Sequence, residues 1–263
     1  MKVAVAHVTS NLDKATNLQK AKDYTARAKS LGADLVLFPE LYMAPITPDC
    51  GVQPSDAAEP LEGAYVTGLR EAALANQIYV VCGIYESVSG DENRAYNATV
   101  IINKSGELLR THRKTHLFDA FAFKESDTVA PGENPYQIID TEIGKIGIMM
   151  CYEVRFPEIA RELTLQGADI LLMPAAWLYG LLKEDHFETL IRARAIENTL
   201  YICASALKGS IFSGRSMVVD PMGVVIASAG DEEGLIIAEI DFDRIKRVRE
   251  KVPTLVNRRP ELY

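Results

Sequence analysis

The chain is poor in the residues that build metal and disulfide sites. Its 263 residues include four cysteines, four histidines and one tryptophan. Cys50, Cys82, Cys151 and Cys203 lie far apart and form no C-x-x-C pair, so neither a disulfide framework nor a zinc knuckle is expected. His112 and His116 are four apart, but a strand-to-loop segment does not bring that spacing onto one face. With no third ligand apparent, no metal is expected. A Cys-His protease would need a histidine to serve its thiol, and His7, His112, His116 and His186 make that constellation weak; His186 reads as a helix-start residue that caps or packs. No P-loop or G-x-G-x-x-G follows a strand, so no nucleotide site is indicated and no cofactor is expected. No apolar run approaches the ~20 residues that span a bilayer. The N-terminus runs straight into Lys2–Val8, too short and strand-like for a signal peptide, which makes a reducing cytoplasm the default location. Lys and Arg (28) are outnumbered by Asp and Glu (36), and the net charge of -8 argues against nucleic acid as the main partner. No membrane partner is expected either.

What is present is an ordinary globular composition, 48% hydrophobic and 24% charged. No linker, low-complexity segment or charge block divides it, so residues 1–263 read as a single domain. Strand patterns fall at Val3–Val8, Asp34–Phe38, Ile78–Tyr85, Ala95–Asn103, Glu107–Arg113, Ile146–Met150, Asp169–Met173, Leu200–Ala206, Ser216–Asp220, Val224–Ser228 and Leu235–Ile240. Helices are predicted from Asp13 to Leu31 with Gly32 as C-cap, over Tyr65–Asn76, from Pro157 to a stop at Gly167, over His186–Asn198 and over Phe242–Glu250. Residues 41–59 read as a long loop, a kind that is usually functional, and 115–135 as irregular. Alternating strands and helices with hairpins mixed in predict a layered α/β domain with mixed sheets. Gly32-Ala-Asp-Leu-Val-Leu-Phe-Pro-Glu40 resembles Gly167-Ala-Asp-Ile-Leu-Leu-Met-Pro-Ala175, which suggests two similar halves, each delivering a strand end to one rim.

The most informative stretch is Gly144-Lys-Ile-Gly-Ile-Met-Met-Cys-Tyr-Glu-Val-Arg-Phe-Pro-Glu158. A short apolar strand ends at Cys151, and Pro157 suits the first turn of a helix. Glu158 and Glu162 place negative charge near that helix's start. A thiol on such a strand-to-helix turn is exposed and has backbone N–H groups beside it, as in a nucleophile elbow. The other reading of Cys151 is a small buried hydrophobe.

Three charged or nucleophilic residues then fall at strand ends or just after them: Glu40, Lys114 and Cys151. Pro39-Glu40, Arg113-Lys114-Thr-His-Leu-Phe118 and Cys151-Tyr-Glu-Val-Arg-Phe-Pro157 resemble the three signature segments of the nitrilase superfamily, or carbon–nitrogen hydrolases. Pro174-Ala-Ala-Trp177, the helix His186–Asn198 and the tail Asn257-Arg-Arg-Pro-Glu-Leu-Tyr263 extend the resemblance over essentially the whole chain. It implies a four-layer αββα sandwich and a Glu-Lys-Cys triad. Glu40 would be the general base, Cys151 the nucleophile and Lys114, with the backbone N–H of Tyr152, the stabiliser of an oxyanion. Glu125 matches the family's second glutamate and would orient Lys114 or the substrate amide nitrogen. The resemblance also implies a homodimer or higher homo-oligomer through the helices Phe156–Gln166 and Phe187–Asn198, with the tail 253–263 in the contact.

The reaction so implied is hydrolysis of a non-peptide C–N bond through a cysteine thioester with ammonia release; a nitrile or an N-carbamoyl group is the alternative substrate. A catalytically silent interaction protein on the same fold is the reading of another class. Residues 115–126 resemble the omega-amidase and deaminated-glutathione-amidase branch, which favours the primary amide of a small carboxylate-bearing acid. Arg155 could hold that carboxylate bidentately or form an ion pair with Glu153 or Glu158. Trp177 reads equally as core and as pocket wall.

Overall fold

The two similar runs of sequence become equivalent central strands of two sheets. The computed structural model describes residues 1–121 and 123–262, with only the backbone of Pro48; Tyr263, the last residue of the tail expected at oligomer contacts, lies outside them. In chain order the elements are β1 (Lys2–His7), α1 (Lys14–Ser30), β2 (Leu35–Leu37), α2 (Pro54–Ala57), α3 (Ala64–Asn76), β3 (Tyr79–Val88), β4 (Asp91–Ile102) and β5 (Leu108–Arg113). A small ribbon of β6 (Asp119–Ala120) and β7 (Phe123–Lys124) follows, then β8 (Ile139–Thr141), β9 (Gly144–Ile148), α4 (Pro157–Leu165), β10 (Ile170–Ala175) and α5 (Lys183–Asn198). The chain finishes with β11 (Tyr201–Ala206), β12 (Met217–Val219), β13 (Val225–Ser228), β14 (Gly234–Glu239) and α6 (Phe242–Lys251).

One sheet has the order β14-β1-β2-β3-β4-β5 and the other β13-β12-β11-β10-β9-β8. β2 runs parallel to β1 and β3, and β10 runs parallel to β9 and β11. β1 pairs antiparallel with the distant β14, and β3–β4, β4–β5, β8–β9 and β12–β13 are antiparallel neighbours, so both sheets are mixed. Period-two alternation assigns the faces. Leu35 and Leu37 of β2 point into a cluster with Ile146, Ile170 and Leu172 of the opposite sheet, while Val36 joins Ala21, Ala28, Val66 and Leu69 beneath α1 and α3. Leu171 and Met173 likewise face outward to Ile159, Leu163, Phe187 and Ile191 of α4 and α5. Helices therefore cover the outer face of each sheet and the sheets face one another, which is the four-layer αββα sandwich.

Several boundaries differ from the sequence reading. Asp13 caps α1 through its side chain, but Leu31 is the C-cap and Gly32 follows at φ 78°. The strand before Cys151 closes at Ile148, and a 3-10 turn, Cys151–Arg155, separates it from α4. α5 begins three residues before His186, at Lys183, from a left-handed Leu182. The loop 41–59 contains a 3-10 turn at Pro48–Cys50 as well as α2. All four cysteines are free. Among the described residues no helix is long and apolar enough to cross a membrane, and no group of three or more His, Cys, Asp or Glu could hold a metal ion.

Candidate active site

The site forms where the two equivalent central strands end. Glu40 follows β2, and the segment Pro39–Leu41 lies directly on Gly83 of β3. A Cβ at Gly83 would stand 2.4 Å from the Pro39 carbonyl oxygen and 2.7 Å from the Glu40 Cα, so only glycine allows that approach. Gly83 N–H donates to Pro39 O and its carbonyl accepts from Met43 N–H, which pins the segment on both sides. Leu41, immediately after Glu40, takes a left-handed φ of 55°. From the other half, the Ala176 N–H just past β10 donates to Glu40 Oε2 at 2.7 Å. The repeat seen in the sequence therefore ends in a direct contact.

Lys114 leaves the end of β5 and is tied down by its backbone, donating to Asn97 O and accepting from Gly132 N–H, both at 2.8 Å. Its ammonium meets Glu40 Oε1 at 2.8 Å and Glu125 Oε2 at 2.9 Å. Glu125 opens a 3-10 turn, and its Oε2 also accepts from the Phe118 N–H at 2.6 Å. All three side chains are nearly inaccessible to solvent. Burial by itself would pull the Lys114 ammonium down; the Glu125 and Glu40 carboxylates outweigh it and hold the group well above the usual lysine range. The two carboxylates therefore favour the cationic form of Lys114.

Cys151 sits at φ 45°, an uncommon conformation for a residue with a Cβ and one that marks strained functional turns. The first bond of its 3-10 turn runs from Glu153 N–H to Met150 O, so the Cys151 and Tyr152 N–H groups precede the turn's own ladder. Burial raises the thiol well above the ordinary cysteine range, and Glu40 raises it further through its charge and a hydrogen bond; Lys114 pulls in the opposite direction. These influences favour the thiol form of Cys151 beside Glu40. Glu40, Lys114, Cys151 and Glu125 are therefore brought together.

The elbow rests on a buried carboxylate. Glu153 Oε2 accepts from Met150 N–H at 2.7 Å and contacts His112 Nε2 at 2.9 Å. Glu153 Oε1 accepts from Thr115 N–H at 2.9 Å and Tyr136 OH at 3.0 Å. Burial opposes its ionisation, but His112 and these donors together lower its pKa from 4.5 to about 2. A carboxyl lowered in the folded state stabilises above its unfolded pKa, and that contribution drains away as pH falls toward the folded value. Wild-type protein should lose about 2 kcal/mol between about pH 5 and pH 2.5 that Glu153→Gln does not lose. Denaturant titrations at the two pH values read this difference; parallel losses would remove Glu153 from the account.

A cavity of about 420 Å³ opens over this cluster. Glu40, Lys114, Glu125 and Cys151 form its floor. Tyr152, Trp177, Phe118, Phe123 and Tyr85 supply aromatic lining, while Leu41, Ile46, Val52 and Pro54 bring the 41–59 loop to its wall. Tyr152 packs edge-on against Phe118 and Phe156. Trp177 is both wall and core: it lines the cavity, packs on Phe187 at 5.2 Å, and donates through Nε1 to the Lys183 carbonyl at 2.7 Å. Arg155 meets neither of its sequence-based partners. Glu153 is committed elsewhere, and no ion pair among the described residues includes Arg155. Its guanidinium lies 4.9 Å from the centre of the Trp177 ring, with Nε and Nη2 buried and without hydrogen-bond partners. It is not among the residues that line the cavity.

Two side chains here were not anticipated. Asn97 on β4 donates through Nδ2 to Glu40 Oε1 at 2.8 Å and to Glu125 Oε1 at 2.9 Å, bridging the carboxylates opposite Lys114. An amide within an apolar strand was its only signal in the sequence, since a buried polar group needs partners. Lys183 lines the cavity from the start of α5.

Comparison with known proteins agrees with this geometry. The family model described as carbon–nitrogen hydrolase matches residues 2–250. A deaminated glutathione amidase from Escherichia coli O157:H7 is 37% identical over 96% of this chain and 94% of its own. The omega-amidase NIT3 of Saccharomyces cerevisiae is 36% identical over 100% of this chain and 94% of its own. The crystal structure of the C. elegans NitFhit protein superposes with a TM-score of 0.93 at 33% identity, covering 100% of this chain and 66% of that longer one. With the family model and these relatives spanning nearly its whole length, the chain belongs to the carbon–nitrogen hydrolase family, the nitrilase superfamily.

Proposed function

We propose that the protein is an amidase that hydrolyses the primary amide of a small carboxylate-bearing acid by way of a thioester on Cys151. The observation that carries this reading is the convergence of the Cys151 thiol, the Glu40 carboxyl group and the buried Lys114 ammonium on one cavity. Cys151 Sγ attacks the amide carbon as its proton passes to Glu40, and the carbonyl oxygen becomes an oxyanion facing Lys114 and the Tyr152 N–H. Glu40 returns the proton to the leaving nitrogen, the C–N bond breaks and ammonia departs. Water then gives a proton to Glu40 and attacks the thioester carbon; the C–S bond breaks, the acid leaves and the thiol is restored. Glu125 and Asn97 hold Lys114 and Glu40 at their relative positions throughout. A cavity of about 420 Å³ with aromatic walls suits a small substrate, and the omega-amidase name of the yeast relative accords with an acid amide.

An ammonia-release screen tests the reading. Short primary amides and ω-amides of dicarboxylic acids should be turned over by wild type and not by folded Cys151→Ala. Nitriles outpacing every amide would contradict the amidase reading, and near-wild-type release by Cys151→Ala would contradict the nucleophile.

A further inference from the structure

Lys114 and Lys183 both line the cavity, in opposite circumstances. Lys114 is neutralised by two carboxylates. Lys183 is 6% exposed, and no ion pair or side-chain hydrogen bond among the described residues includes its ammonium. Its neighbours are rings: Phe118 at 4.7 Å, Phe121 at 5.0 Å and Trp177 at 5.5 Å from their centres. Cation–π contacts soften the partial loss of water around a charge without replacing an anion. Burial draws its pKa down, with Cys151 opposing the effect and Arg155 adding to it, as expected of a cation held in a pocket without a counter-charge.

We infer that Lys183 is the anion anchor of the acyl pocket, pairing with a carboxylate at the end of the substrate remote from the scissile amide. Lys183 and Cys151 line the same cavity, with Phe118 and Trp177 as apolar walls for the methylenes of a short acyl chain. A single unpaired ammonium suits one carboxylate, and a substrate lacking it leaves that charge unmet, which is the condition for strong discrimination. Arg155 shares the Trp177 ring but does not line the cavity, so its part is to fix that wall. The assignment rests on the amidase reading and specifies which cation selects the acid.

Lys183→Met keeps the aliphatic stem and deletes the charge. We expect the ratio of kcat/KM for glutaramate to that for valeramide to fall about thirtyfold or more, carried mainly by KM, and Lys183→Arg to regain part of it. A ratio within threefold of wild type would overturn the assignment. Binding measures the same point without turnover: calorimetry of Cys151→Ala with glutarate should show an affinity that drops by a similar factor in Cys151→Ala/Lys183→Met. Undiminished glutarate binding overturns the anchor even where amide hydrolysis fails, whereas loss of binding upholds it independently of the reaction assigned. Lys183→Gln serves for both measurements if the methionine variant does not fold.

Discussion

Glu40→Gln should lower amide turnover by roughly 10²–10⁴-fold while making Cys151 react faster with iodoacetamide. The two effects have opposite signs because Glu40 has two influences on the thiol. Burial, followed by the charge of Glu40, raises the Cys151 thiol, and Lys114 favours the thiolate. A neutral glutamine removes the repulsion and leaves the lysine, so the thiol pKa falls. Alkylation needs only a thiolate, since iodide departs unaided. Amide cleavage needs a proton delivered to nitrogen, and the variant has no group to carry it. The glutamine oxygen can still accept from the Ala176 N–H or from Lys114, so the fold survives. Alkylation rates read by intact mass, set beside ammonia release, check both halves. Alkylation slowing in step with turnover would mean that Glu40 instead maintains a resting thiolate.

The second large effect is expected at Lys114, where rate and stability fall together. On the proposed mechanism Lys114→Met removes an oxyanion donor, worth about 10²–10³ in kcat. It also leaves Glu40 and Glu125 in one buried site without their shared cation, and breaking a buried ion pair typically costs about 3–5 kcal/mol. Protonating one of the two carboxylates relieves their repulsion, so the stability deficit should narrow as pH is lowered. Lys114→Arg should recover much of the stability and little of the rate, because a planar fork cannot occupy the place of a single ammonium. Denaturant midpoints at two pH values, with single-turnover rates, separate the contributions. A methionine variant as stable as wild type would show that the carboxylates do not depend on Lys114.

The strands and the standing of Glu40, Lys114 and Cys151 at their ends were legible because those signals are local, whereas the four-layer sandwich and the grouping of the three residues came from the family resemblance. Leu35 and Leu37 alternate with Val36 in a period of two, and Glu40, Lys114 and Cys151 stand at strand ends, where loops carry chemistry. The matching runs Gly32–Glu40 and Gly167–Ala175 correctly mark equivalent strands. Their meeting through the Ala176 N–H was not legible, because it depends on how two sheets pack rather than on either run. Asn97 is a similar case: an ordinary strand residue until β4 carries it between Glu40 and Glu125. Glu153 was one of two candidate ion-pair partners for Arg155, but it faces Met150, Thr115, Tyr136 and His112 instead. Lys183 lies outside the helix expected to start at His186. An earlier helix start places it on the cavity wall. In each instance the missing information was tertiary.

The central claim is that Cys151 carries the acyl group, and acid-quenched mass spectrometry during turnover of a slow amide tests it most directly. One adduct per chain, equal in mass to the amide less ammonia, is expected on the peptide that contains Cys151. It should appear with a matching burst of ammonia and be absent from Cys151→Ala. Steady ammonia release with no adduct, or an adduct on Cys50 in its place, would contradict the account.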